Sequence, residues 1–283
     1  MCLAAWSTQQ NKRFPLVLAS NRDEFFARPT APLNWWRASE DAVEILSGRD
    51  LEAGGSWLGV TRRGRLALVT NVREPDRFIT DALSRGALVI EGVTRDVIDV
   101  AWLDEITHAP RNGFNFLTAD LFTGDCVWAT NRTPLYRRFG AGLYGLSNAL
   151  LDTPWPKVVS LKEKLAELLS SADTNVDADA DRMAEQLFSA LSDPQIAADT
   201  ALPKTGVPLE RERLLSPAFI RITDTGKPEA IYGTRCSTVV IAEQVGDTQI
   251  AGKAVRKIVR VYERVYDARG QVSGNTVMQF EVE

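Results

Sequence analysis

Histidine is almost absent from this sequence, since His108 is the one histidine in 283 residues. A Ser-His-Asp or Cys-His catalytic pair would have to use it, and a zinc site built on histidines is nearly excluded. His108 lies in a segment typical of a helix end, where the helix dipole favours a positive charge. We therefore interpret His108 as structural. An enzyme built from this sequence needs a different base.

Cysteine is scarce as well, with residues at positions 2, 126 and 236. A low and odd number argues against a disulfide framework, and no two cysteines have the spacing of a zinc site. Cys126 and Cys236 lie in strand-like apolar runs and are predicted to be buried, unreactive thiols. These features indicate a reducing compartment, so we predict a cytoplasmic protein with no metal and no cofactor.

Excess positive charge and long apolar runs are also missing. The net charge is −4 at pH 7 and the sequence pI is about 5.3, so the electrostatic footprint of a nucleic-acid-binding protein is absent. No apolar run approaches the roughly 20 residues of a membrane span, and the first residues do not resemble a signal peptide. We therefore expect neither a nucleic-acid partner nor a membrane span.

The order of apolar segments predicts an α+β fold. Hairpins outnumber β-α-β units, which favours mostly antiparallel sheets with helices packed outside them. No linker is long enough to divide the chain, so residues 1–283 are predicted to form a single domain. Residues 29–36 are expected to form a loop rich in proline and tryptophan. Strands are expected at 3–6, 16–20, 54–60, 66–71, 114–121, 126–130, 143–147, 218–223, 236–243, 255–266 and 276–282, and helices at 82–92, 94–106, 158–169 and 179–191.

Cys2 is the candidate nucleophile. Removal of Met1, which is usual before a small residue, would leave a thiol and a free α-amine on one residue. The α-amine has a reference pKa of about 8, so it can accept the thiol proton near neutral pH. Beside that ammonium, the thiol pKa is expected to lie below its usual value of about 8.5. The simplest alternative is that Cys2 is a small buried residue of the core and not a nucleophile. This is the preferred interpretation when Cys2 is considered alone.

The residues after Cys2 strengthen the catalytic interpretation. The apolar segments 3–6 and 16–20 predict a β-hairpin that begins at the nucleophile. Its second strand is expected to end at Ser20, which places residues 21–24 beside the first strand. A carboxylate at that position can bind the ammonium of Cys2 and set its orientation, as aspartate does for histidine in a triad.

Two asparagines are candidates for an oxyanion hole. Asn71 and Asn148 each follow a predicted strand. Asparagine amide groups are common oxyanion donors, and loss of one donor costs about 3–4 kcal/mol of transition-state stabilisation. Each asparagine alone is more typical of a turn.

Cys2 and several longer motifs are distributed along the chain. The motifs are Asn21-Arg22-Asp23-Glu24, residues 48–60, Ser84-Arg85-Gly86, Asn112-Gly113-Phe114-Asn115, Gly145-Leu146-Ser147-Asn148, Pro154-Trp155-Pro156-Lys157 and Tyr232-Gly233-Thr234-Arg235. Together they resemble the NRDE family, also called the transport-and-Golgi-organisation-2 family. The resemblance runs from residue 2 to about residue 243.

This resemblance implies a fold and a set of roles. The family is similar to N-terminal-nucleophile hydrolases, whose fold is a four-layer αββα sandwich. In the choloylglycine hydrolases and penicillin V acylases of that class, an N-terminal cysteine is the nucleophile, an aspartate orients its amine and asparagines form the oxyanion hole. By position, these roles would belong to Cys2, Asp23, Asn71 and Asn148. Charged and aromatic residues in or near the motifs are expected to bind the substrate: Arg22, Glu24, Arg49, Arg235, Trp36 and Trp57.

One position departs from those acylases. They carry an arginine three residues before the aspartate, where this chain has Ser20. Two functions therefore stay open, one that acts on a small-molecule amide and one that binds an amphipathic ligand. The sequence does not determine the oligomeric state. The first is a cysteine amidohydrolase that cleaves a non-peptide amide through an acyl-enzyme on Cys2. The second is a non-catalytic binding or trafficking protein for haem, lipid or acyl ligands, as some relatives suggest. Its cleft would contain three tryptophans: Trp35, Trp36 and Trp57.

Overall fold

The N-terminal hairpin forms the centre of the first of two sheets. The computed structural model describes residues 2–133, 136–174, 179–223, 226–246 and 256–282. Strand β1 (Cys2–Thr8) pairs antiparallel with β2 (Leu16–Phe25), and Cys2 lies opposite Arg22. Both strands are buried over nearly their whole length, because each of their faces is covered.

The rest of the first sheet extends the hairpin on both sides. Its strand order is β10-β1-β2-β12-β13-β14, every pairing is antiparallel, and β11 pairs with β12 off this path. The added strands are β10 (Gly142–Leu146), β11 (Arg221–Ile222), β12 (Tyr232–Val245), β13 (Arg256–Tyr266) and β14 (Val272–Glu281).

The second sheet follows the order of the sequence, from β3 to β9. Gly64, with φ +74°, makes the turn between β5 and β6. The strands are β3 (Thr30–Trp36), β4 (Ile45–Asp50), β5 (Leu58–Val60), β6 (Arg65–Asn71), β7 (Phe114–Asp120), β8 (Cys126–Thr130) and β9 (Tyr136–Phe139).

Helices cover the outer face of each sheet. Helices α1 (Gly86–Thr94) and α2 (Val100–His108) share a core with the second sheet. Helices α3 (Pro156–Thr174) and α4 (Ala180–Leu191) share a core with the first sheet, and a short α5 (Leu209–Leu215) follows. In the described ranges, no helix is both long enough and apolar enough to cross a membrane.

A third core joins the two sheets. Even-numbered residues of the hairpin, such as Trp6 and Leu18, pack against Leu68 and Leu117 of the second sheet. Odd-numbered residues face the helices, because side chains alternate across a strand. The layers are therefore helix, sheet, sheet and helix. The predicted α+β class and the four-layer sandwich are confirmed.

Two expectations for residues 16–36 are wrong. Strand β2 continues to Phe25, so residues 21–24 lie inside the strand and not beyond its end. Residues 30–36, expected as a loop, form β3. Pro32 is tolerated there because β3 is an edge strand with a register shift between Ala31 and Asn34.

Asn21 stabilises the packing of the first sheet on its helices. Its side chain is 0% exposed, and its Nδ2 donates hydrogen bonds of 2.8 Å to the carbonyl oxygens of Leu191 and Ala218. Its Oδ1 accepts a hydrogen bond from the Ser237 hydroxyl. The first residue of the Asn-Arg-Asp-Glu motif is therefore a buried structural connector.

We predict that Asn21→Ala lowers the free energy of unfolding by about 2–4 kcal/mol, because it leaves buried carbonyl and hydroxyl groups without their partner. Urea unfolding measures this change. Asn34→Ala, on an exposed part of β3, is the matched control and should cost less than about 0.5 kcal/mol. Equal losses in the two variants would contradict the structural role of Asn21.

Glu263 connects the two sheets. The carboxylate of this β13 residue accepts a hydrogen bond of 2.6 Å from the backbone N–H of Leu33 in β3. Glu263 is 2% exposed, and burial raises its pKa from 4.5 to about 7. The folded protein therefore holds this proton over a pH range in which the unfolded chain releases it.

This difference predicts a pH-dependent stability. Because the pKa of Glu263 is raised in the folded protein, this group stabilises the fold. Its contribution to the free energy of unfolding is fully present below pH 4.5 and is lost as pH rises through about 7. The loss amounts to at most about 3 kcal/mol. Glu263→Gln keeps an acceptor for Leu33 but cannot ionise, so its unfolding free energy should lack this slope. Urea unfolding between pH 4 and about 8 compares the two proteins, and parallel profiles would refute the assignment.

Candidate active site

The end of the hairpin opens into a cavity of about 450 Å³. The sequence-predicted residues that line it are Cys2, Arg22, Asp23, Glu24, Trp57 and Asn71. They come from both sheets, because Trp57 precedes β5 and Asn71 ends β6. The cavity therefore lies at one end of the interface between the sheets.

Cys2 is fixed by the strands around it. Its carbonyl oxygen accepts a hydrogen bond of 2.9 Å from the Ser147 hydroxyl, and Cys2 is 9% exposed. With Met1 still attached, burial raises the pKa of the Cys2 thiol, opposed in part by the backbone N–H of Asp23. The lowered thiol pKa expected for Cys2 is therefore not found while Met1 is attached. Burial also raises the pKa of Cys126, to about 12, and that of Cys236.

Asp23 is held beside Cys2 by β12. The carboxylate is 1% exposed and accepts a hydrogen bond of 2.8 Å from the Thr234 hydroxyl, while Tyr232 donates to its backbone oxygen at 2.9 Å. The register of β12 shifts between Thr234 and Cys236, directly beside this contact. Such a bulge re-aims side chains next to functional sites.

Lys157 is a site residue that sequence reasoning missed. It is the second residue of α3, and its buried Nζ donates to the carbonyl oxygens of Leu215 at 2.9 Å and Pro217 at 3.4 Å. Burial lowers its pKa to about 8, and the charge of Asp23 opposes this change. Conversely, burial raises the pKa of Asp23 and Lys157 lowers it. The available signal was a lysine within the Pro154-Trp155-Pro156-Lys157 motif, at the start of an amphipathic helix.

A buried ion pair lies near Asp23. Arg73 pairs with Glu212 of α5, and both side chains are almost inaccessible to solvent. The Arg73 guanidinium also lies 4.8 Å from the ring centre of Trp155. With Asp23 and Lys157, this pair gives two positive and two negative groups, so their formal charges cancel.

The two asparagines occupy different positions. Asn71 lines the cavity, whereas Asn148 lies behind it and donates from Nδ2 to the carbonyl oxygen of Asn71 at 2.8 Å. The Ser147 hydroxyl, which contacts Cys2, also lies 3.4 Å from Asn148 Oδ1. This arrangement connects the backbone of Cys2 with the backbone of Asn71.

The opposite wall of the cavity is rich in charge. Arg22 lies 3.4 Å from Asp50 and 3.9 Å from Glu24, and its guanidinium is 4.4 Å from the ring centre of Trp57. Arg28 binds Asp50 at 2.7 Å, which together with backbone N–H groups lowers the pKa of Asp50 against the effect of its burial. Most of the charge on this wall is therefore neutralised within the wall.

Three predicted substrate-binding residues lie outside the lining of this cavity. Trp36 donates to the Ser47 hydroxyl at 2.8 Å, and Arg49 stacks 4.6 Å from its ring centre. Arg235 donates at 2.8 Å to the carbonyl oxygen of Phe25 and lines a smaller cavity of about 190 Å³, which shares Trp57 as a wall. In the described part of the chain, no group of three or more His, Cys, Asp or Glu side chains is arranged to hold a metal ion.

Comparison with known proteins places the chain in a family. Residues 1–257 match the sequence profile of the Transport and Golgi organisation 2 family. The chain belongs to this family. It is 34% identical over 242 residues to the Transport and Golgi organization 2 homolog of Mus musculus, with 82% of this chain and 84% of that protein covered. The Drosophila melanogaster protein of the same name is 27% identical over 265 residues, covering 86% of this chain and 88% of the relative.

The solved structures that match this chain are distant from it in sequence. One is the Caenorhabditis elegans N-acylethanolamine-hydrolyzing acid amidase ortholog, with a TM-score of 0.46, 11% identity, and coverage of 84% of this chain and 92% of that one. Another is the C2A mutant of the conjugated bile acid hydrolase from Clostridium perfringens, with a TM-score of 0.44 and 9% identity. That match covers 99% of this chain and 96% of the other.

The contribution of Lys157 can be tested through Asp23. Lys157→Met removes the positive charge that lowers the pKa of Asp23, so that pKa should rise further. Lys157→Arg keeps the charge and is the matched control. Carboxyl ¹³C NMR titration gives the value, with Asp23→Asn identifying the resonance. An unchanged titration in Lys157→Met would show that the two groups are not coupled.

Proposed function

We propose that this protein is an N-terminal-nucleophile cysteine amidohydrolase that cleaves a non-peptide amide. The observation that carries the proposal is the convergence of Cys2, Asp23 and Asn71 on one cavity at the end of the hairpin. These residue types match a nucleophile, a group that orients an amine and an oxyanion donor. The base is the α-amine of Cys2, so the proposal requires processing that makes Cys2 the first residue.

Formation of the tetrahedral intermediate requires one proton transfer and one new bond. The thiol proton moves to the α-amine, and Sγ attacks the carbonyl carbon of the amide. The resulting oxyanion accepts a hydrogen bond from the side-chain amide of Asn71, whose backbone is held by Asn148. Asp23 binds the α-ammonium and prevents it from rotating. Its own charge is maintained by Lys157 and by the Thr234 hydroxyl.

Breakdown of the intermediate completes the cycle. The C–N bond breaks, the α-ammonium returns its proton to the leaving nitrogen, and a thioester remains on Cys2. Water then attacks the thioester carbonyl while the α-amine accepts a proton from it. The thioester C–S bond breaks, the carboxylic acid leaves, and the proton returns to sulfur. No other base is required at any step.

We predict a covalent acyl intermediate on Cys2. A panel of N-acyl amides is incubated with processed protein, quenched in acid and analysed by peptide mass. The acyl group should be found on the N-terminal peptide and never on Cys126 or Cys236, which do not line this cavity and have no α-amine to act as base. Asn71→Ala should lower kcat by about two to three orders of magnitude because it removes an oxyanion donor. Cys126→Ala, which changes a distant thiol, is the control and should retain turnover.

Two results would refute this reaction. One is quantitative retention of Met1 in protein isolated from its natural host, because the base would then not exist. The other is full turnover of an amide by Cys2→Ala.

A second candidate is a carrier that binds an amphipathic ligand without changing it. The observation in its favour is the apolar rim of the cavity, where Phe78 is 73% exposed and Leu83 is 51% exposed. Side chains of this kind at the mouth of a charged cavity suit a ligand with an apolar part and a polar head. Ligand binding that is unchanged in Cys2→Ala, together with no acyl-enzyme in the unmodified protein, would favour the carrier.

A further inference from the structure

The cavity walls carry three arginines, and two of them have acidic partners. Arg22 and Arg28 share Asp50, and Arg28 also binds Glu52 at 2.7 Å. The third arginine, Arg85, lines the same cavity as Cys2. Among the described residues, no carboxylate lies within 4.0 Å of the Arg85 guanidinium, so its charge is not neutralised by a direct ion pair.

The surroundings of Arg85 contain little that replaces such a partner. Its guanidinium donates one long hydrogen bond, of 3.3 Å, to the carbonyl oxygen of Gly113. The neighbouring carboxylate of Glu74 is already engaged, since it binds the Arg132 guanidinium and the backbone N–H of Gly113. Burial lowers the pKa of Arg85, and the nearby charge of a Cys2 thiolate opposes this effect. Arg85 is therefore a partly desolvated positive charge close to the nucleophile.

The position of Arg85 is set by the fold. It directly precedes α1, which begins at Gly86. Gly86 packs closely against Gly55, since a Cβ on Gly55 would lie 2.4 Å from the Gly86 carbonyl carbon. The Ser56 backbone N–H donates to the Gly86 carbonyl oxygen at 3.2 Å. This contact between two backbone segments fixes Arg85 at the cavity wall.

We propose that Arg85 forms an anion subsite, which selects ligands that carry a carboxylate, sulfonate or phosphate group beside the amide bound at Cys2. The reaction part of this statement rests on the proposed amidohydrolase function, whereas binding of the anion does not. A guanidinium binds such anions through charge-assisted, often bidentate hydrogen bonds. The acidic residues of the facing wall pair directly with Arg22 and Arg28, and Glu24 acts on Arg85 through its charge without forming an ion pair with it.

The first test uses Cys2 itself and needs no turnover. Iodoacetate and iodoacetamide alkylate the same thiol and differ in charge, so the ratio of their rates reports a positive group near sulfur. We expect Arg85→Gln to lower the iodoacetate-to-iodoacetamide ratio by about tenfold. Arg85→Lys, which keeps the charge, should retain most of the ratio. Arg63→Gln, at an exposed residue paired with Asp96, is the control and should leave it unchanged.

The second test measures binding without a nucleophile. In Cys2→Ala protein, calorimetry compares hexanoate, hexanesulfonate and hexyl phosphate with neutral hexanamide. The anions should bind more tightly than hexanamide, and adding Arg85→Gln should weaken only the anions, by about tenfold. The preferred anion identifies the head group. Unchanged melting temperatures establish that the variants are folded.

The outcomes separate the subsite from the reaction. Charge-selective alkylation and binding without turnover of any amide would support the subsite and refute the amidohydrolase. Turnover of neutral and anionic amides with equal KM, and an alkylation ratio within about twofold of the unmodified protein in Arg85→Gln, would overturn the subsite alone. If Arg85→Gln lowered kcat equally for both substrates, Arg85 would stabilise the thiolate and not bind an anion, which also overturns the proposal.

Discussion

Burial of the Asp23 carboxylate is the constraint on which the site depends. An ionised carboxylate away from water is costly unless charges and hydrogen bonds compensate for it. Here Thr234 supplies a hydrogen bond and Lys157 supplies a positive charge. Lys157 is in turn held by the carbonyl oxygens of Leu215 and Pro217, so α3 must pack against the end of α5 and the segment after it to place this positive charge near Asp23.

The alternation of side chains along β2 gives the Asn-Arg-Asp-Glu motif two functions. Asn21 contacts α4 and the segment after α5, on the helix side of the sheet, whereas Arg22 contacts Trp57 and Asp50 on the side of the second sheet. Cys2 is the cross-strand partner of Arg22 and lines the same cavity. A shift of one residue in this pairing would exchange the faces and separate Cys2 from its surroundings.

Local patterns predicted much of the fold but less of the site. The apolar positions of α3 and the strand pattern of Cys126–Thr130 are local signals, and both elements are present. The sequence does not reveal strand β3, because Pro32 opposes a strand in any position but an edge. Which strand lies at an edge is defined only by the complete sheet. The roles of Lys157 and Arg85 depend on partners distant in sequence. Asn148 was grouped with Asn71 because both end strands, whereas packing places one behind the other.

A buried thiol can remain a nucleophile if its proton stays within the same residue. Burial raises the pKa of the Cys2 thiol because loss of the proton to solvent leaves a net negative charge in a poorly solvated site. Transfer of that proton to an α-amine on Cys2 would instead create a thiolate and an ammonium a few bonds apart, with no change in net charge. The desolvation penalty for such a pair is smaller than for an isolated ion, and in the proposed reaction the Asp23 carboxylate would stabilise the ammonium. The same burial that suppresses ionisation in the unprocessed chain is therefore compatible with reactivity in a chain that begins at Cys2.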